Sequence, residues 1–385
     1  MTGDFKSCHS LSKRTPASLY KKVILVATMV AERTGLSPAT DFPQNRRDIL
    51  SRFFERRARV RHYFQAIVLL VVLLIGLQFA VYVFQVGESG IATLDRPAGV
   101  EGFLPIGALI SWKRFLITGV WDDIHPAAMV IFGFAVVISW FAHKAFCSWF
   151  CPIGTVAEAC WKIGQYLFGK TFQLPAWLDI PLRSIKYMLL GFFLWITWTM
   201  SVEAISAFIA SPYYKISDVK MLHFFTRMSL TTAIVLSVLF IGSLFIKNFW
   251  CRYFCPYGAL MGLVSLASPL KVRRSARNCT RCSKCTKSCP HRIDLMNKTK
   301  VTNPECSGCM DCVIACPQSK ALRFGLTGKH HAWSPFRLGG VVFALFIVVY
   351  LAALVTGNWH SQLPADDFRQ LLLAIDSGVI THPGI

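Results

Sequence analysis

"CTRCSKCTKSCP", residues 279–290, is followed after a short interval by "CSGCMDCVIACP", residues 306–317. Both stretches have the spacing C-x2-C-x2-C-x3-C-P. Thiols at every third position of a tight loop can surround three corners of a compact inorganic cluster, and the fourth corner then needs a ligand from elsewhere in the chain. These two runs and two shorter pairs contain twelve of the 14 cysteines of the 385-residue chain. Such grouping predicts metal ligands.

The same spacing is found in bacterial two-cluster ferredoxins, in which the fourth cysteine of each run serves the other cluster. This rule predicts a ferredoxin-like α+β module with two [4Fe–4S] clusters, which we assign to two sites. Site 1 consists of Cys279, Cys282, Cys285 and Cys316, and site 2 consists of Cys306, Cys309, Cys312 and Cys289.

Zinc binding and disulfide pairing also use closely spaced cysteines. Zinc ribbons usually place two C-x2-C pairs on either side of a longer insert, whereas each of these runs holds four cysteines within eleven residues. Disulfide frameworks are typical of small secreted domains, and the charge pattern described below places the runs in the cytoplasm. The spacing therefore favours iron–sulfur clusters over both alternatives.

The composition predicts a membrane protein, because 54% of the residues are hydrophobic and only 16% are charged. The formal net charge is +21, which could suggest a nucleic-acid partner. However, the basic residues lie mostly between apolar runs rather than on one polar segment, so we expect membrane lipid and no nucleic acid.

Long apolar runs predict an α-helical integral membrane protein with about five transmembrane helices. The segment "FLPIGALISWKRFLITGVW" (103–121) is interrupted by Lys113 and Arg114, and we expect it to be re-entrant or interfacial instead of a crossing. The five predicted crossings are residues 63–84, 126–146, 185–209, 229–249 and 338–359.

The positions of Lys and Arg predict the orientation. With the N-terminus in the cytoplasm, the cytoplasmic segments contain 34 of the 41 Lys and Arg residues, an excess typical of the inner face of a bacterial inner membrane. The C-terminus is then periplasmic. The predicted domains are a basic cytoplasmic tail (1–60), a four-helix membrane domain (61–270), the cytoplasmic ferredoxin-like module (271–335) and a fifth membrane helix with a short periplasmic tail (336–385).

Two membrane segments resemble each other: "HKAFCSWFCPIG" (143–154) and "IKNFWCRYFCPYG" (246–258). If each is helical, its two cysteines project from one face, and Pro152 and Pro256 end the helix while the following glycines allow a close turn. Brought together, the four thiols would suit an iron–sulfur cluster or another soft metal. A single pair would favour buried free thiols, but two pairs in matching context favour a redox or metal site. We call Cys147, Cys151, Cys251 and Cys255 the membrane cysteines; Cys8 and Cys160 have no partner at ligand spacing.

"WDDIHPAAM" (121–129) raises the question of a quinol site. His125, beside Asp122 and Asp123, has a side chain suited to accepting a proton. An ordinary helix start, with an aspartate cap and His125 facing water, explains the same residues and is favoured. Glu203 is expected at the membrane interface.

The order of "FCSWFCPIG" (146–154), "FWCRYFCPYGALMG" (249–262), "SPLKVRR" (268–274) and the two ferredoxin runs resembles the NapH/MauN/NosR-type membrane polyferredoxin superfamily. Linking phrases such as "GVEGFLPIGALISWKRFLITG" (99–119) are most similar to its YccM branch. The resemblance implies a membrane-bound electron carrier, and the role proposed for NapH-like relatives is to take electrons from quinol and pass them to a partner. The sequence departs from the NosR-like and CcoG-like branches, whose flavin-binding and copper-handling functions are therefore not inferred.

The leading hypothesis is iron–sulfur electron transfer between a donor, with quinol as one candidate, and a redox protein partner. In that case the chain is an electron-transfer component, with a quinol dehydrogenase subunit as one form of it. A second hypothesis is a metal-handling or cofactor-maturation factor that uses the membrane cysteines. A third is a redox sensor.

Overall fold

The computed structural model describes residues 44–169, 171–172, 174–318, 320–326 and 332–376. The chain divides into two compact units, Met1–Phe54 and Glu55–Ile385. The first unit contributes the beginning of one long helix, and the second contains all the cysteine motifs. Residues 1–43 of the predicted basic tail lie outside the described part of the chain.

Most of the described chain is helical. Pro105, Pro126, Pro152, Pro256 and Pro335 each occupy the first turn of a helix, where the missing N–H has no helical partner to lose. In chain order the elements are α1 (Gln44–Ser89), a 3-10 helix (Ala98–Phe103), α2 (Pro105–Thr118), α3 (Pro126–Ala142), α4 (Ala145–Trp149), α5 (Pro152–Phe168), α6 (Ala176–Thr199), α7 (Val202–Ala210), α8 (Pro212–Lys215), α9 (Ser217–Thr226), α10 (Leu230–Phe245), α11 (Phe249–Tyr253), α12 (Pro256–Ser265), β1 (Lys271–Arg274), α13 (Lys284–Ser288), α14 (Asp311–Ile314), β2 (Leu322–Gly325), α15 (Pro335–Val355) and α16 (Ala365–Asp376).

Three helices in the described residues are long and apolar enough to cross a membrane: Val60–Ser89 of α1, α6 and α15. The pair α9 and α10 would add a fourth if it were one crossing, but the two helices meet at 76°. α3 has 17 residues, fewer than the roughly 20 that span the hydrocarbon core. The protein is therefore a mostly helical membrane protein with three candidate spans, and the count of five stays a prediction.

The predicted third crossing, 185–209, differs from the helices that form. α6 begins at Ala176 and ends at Thr199, and α7 starts after Ser201. The Ser201 hydroxyl accepts a hydrogen bond from the backbone N–H of Ala204, as an N-cap residue does. The sequence stays apolar across this break, so hydropathy extended the predicted helix beyond its true end.

The interrupted segment 103–121 forms the short helix α2. Its 14 residues reach only about 21 Å at the usual helical rise. The helix ends at Gly119, whose φ of 73° lies in the left-handed region that favours glycine. The Lys113 ammonium donates to three backbone carbonyls at the C-terminal end of α6. The helix is therefore shorter than the hydrocarbon core, and its re-entrant or interfacial placement stays a prediction.

Residues 271–326 form a small module that contains both ferredoxin runs. β1 pairs with β2 in antiparallel fashion, with Lys271 opposite Gly325. The short helices α13 and α14 each begin inside one of the cysteine loops. Trp149 of the membrane helices and Phe324 of the module belong to one continuous buried cluster, which fixes the module against the helix ends.

The segment after α15 is more than the predicted polar tail. It contains α16, whose Phe368 and Leu372 pack against Phe79 and Val83 of α1. Apolar side chains recur at intervals of three and four residues from Phe368, the pattern of an amphipathic helix. The charged residues between them hide this face when the sequence is read for hydropathy alone.

Candidate iron–sulfur sites

The four cysteines predicted for site 1 line one cavity. Its wall includes Cys279, Cys282, Cys285 and Cys316. Three of these residues come from the first run and the fourth, Cys316, ends the second run. The structure therefore brings the predicted set together across a gap of 30 residues in the sequence.

A second cavity contains the cysteines predicted for site 2. It is lined by Cys289, Cys306, Cys309 and Cys312, with the buried imidazole of His291 beside them. Here the last cysteine of the first run joins the first three of the second run. Four thiol donors around a cavity of this kind fit the ligand requirement of a [4Fe–4S] cluster.

The two loops reach this arrangement with the same backbone conformations. Arg281 and Ser283 have φ values of 53° and 59°, and Gly308 and Met310 have φ values of 61° and 64°. These residues stand two and four positions after the first cysteine of each run. Left-handed residues turn the chain sharply, so thiols three residues apart can face one centre.

The two sites differ in exposure. Cys282 of site 1 is exposed, whereas Cys309 and Cys312 of site 2 are buried. Burial raises the pKa of Cys306 to about 12, while the backbone N–H of Lys284 lowers the pKa of Cys282. Site 2 is thus interior and site 1 opens to the surface.

The two membrane cysteine pairs share one local fold. Cys147 and Cys251 lie on the five-residue helices α4 and α11. Cys151 and Cys255 are the N-cap residues of α5 and α12 and have extended backbones. The condition that each pair lies on one helix is therefore not met, because the short helix ends before the second cysteine and the following proline starts a new helix.

All four membrane cysteines lie close enough to affect one another's ionisation. Burial, with Cys147 and Cys255, raises the pKa of Cys151 to about 12. Burial also raises the pKa of Cys147 to about 11, against the opposing charge of Lys144, and Cys251 interacts with the other three thiols. In the described residues, no three His, Cys, Asp or Glu side chains are arranged to hold one metal ion, so a preformed mononuclear site is absent there.

The glycine after each pair has a different role. A Cβ at Gly154 would lie 2.3 Å from the carbonyl oxygen of Cys147, so the close turn at the first pair requires glycine. At Gly258 the nearest atom would be the Cys255 sulfur at 3.5 Å. The Gly258 N–H instead donates a hydrogen bond to that sulfur at 3.2 Å.

A buried ion pair joins the membrane helices to site 2. The Lys186 ammonium of α6 donates to both carboxylate oxygens of Glu305, at 2.6 and 2.7 Å, and the Tyr187 hydroxyl donates at 3.1 Å. Glu305 precedes Cys306 in the chain. Burial opposes ionisation of Glu305, but Lys144 and Lys186 lower the pKa of its carboxyl to about 2. The carboxylate is therefore charged at neutral pH.

A second buried network holds the loop of site 2. The Arg61 guanidinium of α1 donates to Glu158 of α5 at 2.5 and 2.8 Å and to Asp311 at 3.0 and 3.1 Å. Asp311 stands between Cys309 and Cys312. Neither this network nor the Lys186 pair is predicted by the sequence pattern. One signal for Lys186 was available, because it is an ionisable residue within a predicted crossing. Such residues are candidates for a functional role.

At the opposite end of α3, Asp122 and His125 are buried. The Asp122 carboxylate accepts hydrogen bonds from the backbone N–H groups of Ile124 and His125, which precede the first helical residue. The expected aspartate cap is therefore wrong, because the N-cap residue of α3 is His125 and it makes no side-chain cap hydrogen bond. The expectation that His125 faces water is wrong. Its Nδ1 lies 3.4 Å from a Glu101 oxygen, and its Nε2 donates to the Tyr214 carbonyl at 2.8 Å. Residues remote in the sequence cover it.

Three other residues were named from the sequence. Cys160 is a buried residue of α5, and Cys8 lies outside the described residues. Glu203 is exposed on α7, as a residue at the interface would be. We therefore do not assign these three residues to site 1, to site 2 or to the membrane cysteines.

Two family models match the chain. A 4Fe-4S dicluster domain matches residues 271–317, and a 4Fe-4S binding domain matches residues 124–175 and 228–275. The first match contains all eight cysteines of the module and ends just after Cys316. The second match covers both segments that carry membrane cysteines.

Several curated proteins are similar to the chain. YccM of Escherichia coli, whose name assigns it provisionally to electron transport, is 44% identical over 74% of this chain and 81% of YccM. The ferredoxin-type protein NapH of Escherichia coli is 27% identical over 50% of this chain and 67% of NapH. The regulatory protein NosR of Stutzerimonas stutzeri is 27% identical over 60% of this chain and 31% of NosR. No solved structure matches the chain.

The membrane helices and the 4Fe-4S domains define a membrane-bound iron–sulfur protein of electron transport. More particularly, the chain belongs to the NapH/NosR-type membrane polyferredoxin family. Its redox chemistry is iron–sulfur electron transfer, which implies a redox protein partner.

Proposed function

We propose that the chain relays single electrons between a donor and a redox protein partner through two [4Fe–4S] clusters, one held by the cysteines of site 1 and one by those of site 2. The observation that carries this proposal is the sorting of the cysteines into two cavities, each with three residues from one run and one from the other. The clusters supply reversible one-electron chemistry. The chain supplies the thiolates, their spacing and the charges around them.

We further propose that the membrane cysteines hold an additional redox or metal centre. The matched backbone of the two pairs and the mutual proximity of the four thiols support this proposal. Both pairs lie in segments that match a 4Fe-4S binding domain, which favours an iron–sulfur centre over the cargo ion of a metal-handling factor. Lys144, buried beside these thiols, would offset their negative charge.

For the topology we propose five crossings of the bacterial inner membrane, with the N-terminus and the module in the cytoplasm and the C-terminus in the periplasm. The concentration of Lys and Arg on one side supports this orientation. α3 and the bent pair α9 and α10 would supply the second and fourth crossings. As part of this topology we also propose domain boundaries after residues 60, 270 and 335.

We propose a membrane quinol as the electron donor. His125 is not its binding site in this proposal, because the 17 residues of α3 separate it from the cysteine end by about 25 Å at 1.5 Å per residue. Electron tunnelling weakens exponentially with distance, so the quinol would react near the cysteine end of the helices.

The experiment is anaerobic purification in detergent, iron and sulfide analysis, and addition of a reduced quinol with EPR detection. We expect at least about eight irons per chain, the content of two [4Fe–4S] clusters, and cluster reduction by the quinol. Fewer irons after full reconstitution would contradict the two clusters. If dithionite reduces the clusters and the quinol does not, the result would contradict only the proposal that quinol is the electron donor.

A further inference from the structure

The loop of site 2 is held against the membrane helices. The Trp149 indole donates to the Gly308 carbonyl at 3.2 Å, and the Ser148 hydroxyl donates to the Ser307 carbonyl at 2.6 Å. A Cβ at Gly308 would lie 2.8 Å from the carbonyl oxygen of Ala142. The loop therefore touches the end of α3 and the helix that carries the first membrane cysteine.

Site 1 has a different setting. Its cavity opens where Cys282 is exposed, so a second protein can approach this site without any rearrangement of the chain. Exposed basic side chains lie on the loop of site 1 and on neighbouring parts of the module. We call this set the basic face: Arg277, Arg281, Lys284, Lys287, Lys298 and Lys320.

Acidic residues of the module do not offset this charge. Residues 271–326 contain twelve Lys and Arg but only three acidic residues. Glu305 and Asp311 are paired with cations of the membrane helices. Among the described residues of this range, Asp294 is the one acidic side chain that is exposed. The surface around site 1 is therefore strongly positive.

We propose that the basic face docks an acidic redox protein, which exchanges one electron with the chain at site 1. This inference rests on the proposed function, since it needs a cluster at site 1. A negative partner surface would be steered to the opening by long-range attraction, which raises association rates. The exchange moves one electron, oxidising one protein and reducing the other, and makes or breaks no covalent bond.

The test uses the full chain in nanodiscs of neutral lipid, reduced with dithionite and freed of excess reductant. Two haem proteins of opposite charge serve as one-electron acceptors: the acidic soluble domain of cytochrome b5 and the basic cytochrome c. Stopped-flow haem absorption gives the second-order rate constants, and calorimetry gives the binding of each oxidised acceptor to the oxidised chain. The variant Arg277→Glu/Lys284→Glu reverses two charges beside site 1, and Arg337→Glu/Arg369→Glu reverses two exposed charges outside the module.

We expect cytochrome b5 to bind the wild-type chain and to lose both binding and roughly tenfold in rate with Arg277→Glu/Lys284→Glu at low ionic strength. The difference should vanish at high salt, and the Arg337→Glu/Arg369→Glu variant should behave like the wild type. Equal loss in both variants, or no loss in either, would overturn the inference. A further measurement uses nanodiscs of anionic lipid. If this lipid suppresses the cytochrome b5 reaction of the wild type but not of the Arg277→Glu/Lys284→Glu variant, the basic face binds lipid headgroups, and the inference is overturned.

Cluster content separates this inference from the proposed function. EPR and iron analysis of each sample precede the kinetics. Absent clusters would contradict the proposed function, whereas intact clusters with charge-independent kinetics would contradict only the docking of an acidic partner.

Discussion

The Lys186 ammonium of α6 lies 2.6 and 2.7 Å from the two carboxylate oxygens of Glu305, the residue before Cys306. Both side chains are buried, the lysine completely so. This pair ties a candidate membrane span to the loop of site 2. It is one of the contacts that hold the module, in which the structure describes two short strands, against the membrane helices.

Replacing Lys186 by Met should leave the Glu305 carboxylate buried without its partner. Breaking a buried pair costs about 3–5 kcal/mol where the remaining charge is uncompensated, and Lys144, which also acts on Glu305, should keep the loss at or below the lower end of that range. We expect a clear fall in the thermal midpoint of the purified chain, with partial recovery in Lys186→Met/Glu305→Leu. The exposed Lys298→Met is the matched control. A midpoint for Lys186→Met equal to that of the control would contradict a structural role for the pair.

Arg61→Gln should disturb site 2 more than site 1. Arg61 joins Glu158 to Asp311, which stands between two cysteines of site 2, and glutamine keeps polarity but removes the charge. We expect the EPR signal of the site 2 cluster to broaden and the midpoint potential of this cluster to fall, because a positive charge near a cluster favours its reduced form. Equal shifts of both signals would show that Arg61 acts on the whole fold. Arg337→Gln, at an exposed arginine, is the control.

The crossed ligand sets predict which cysteine substitutions resemble each other. Cys316→Ser should remove or alter the same EPR signal as Cys282→Ser, although the two residues belong to different runs. Cys289→Ser should match Cys309→Ser. If Cys316→Ser instead matched Cys309→Ser, each run would hold its own cluster, and the assignment from the two cavities would be wrong.

The membrane cysteines predict a centre that is independent of the module. Cys251→Ser should lower the metal content of the chain and remove its signal while the two ferredoxin signals persist. Metal analysis together with EPR measures both, and Cys160→Ala is the control at a buried thiol without a proposed ligand role. Tight binding of Cu(I) by the wild type, lost in Cys251→Ser, with no third iron–sulfur signal, would favour a metal-handling factor instead.

Local spacing predicts the three neighbouring thiols of each loop, whereas the fourth cysteine of each cavity, Cys316 or Cys289, lies in the other run and follows only from the ferredoxin rule. Each loop uses three thiols at fixed short intervals, and left-handed residues at equivalent positions, Arg281 and Gly308, bend both loops in the same way. Such patterns depend on neighbours in the sequence, so the sequence carries them directly. The apolar lengths of α1 and α15 were predictable for the same reason.

Pairs that depend on tertiary packing were not predictable. Arg61 and Asp311 are 250 positions apart, and no local pattern links them. The same holds for Glu101, which lies against His125 and makes it a buried residue instead of an exposed one. Helix ends within apolar sequence, such as Thr199 at the end of α6, depend on a cap and on packing, which hydropathy does not report.

The most direct measurement of the central claim is an anaerobic redox titration of the full wild-type chain, followed by EPR with spin quantitation and chemical iron and sulfide analysis. The account predicts at least two separate one-electron reductions and about eight irons and eight sulfides in the ferredoxin module. Zinc in place of iron, or a single reducible cluster after complete reconstitution, would contradict an electron relay built on site 1 and site 2.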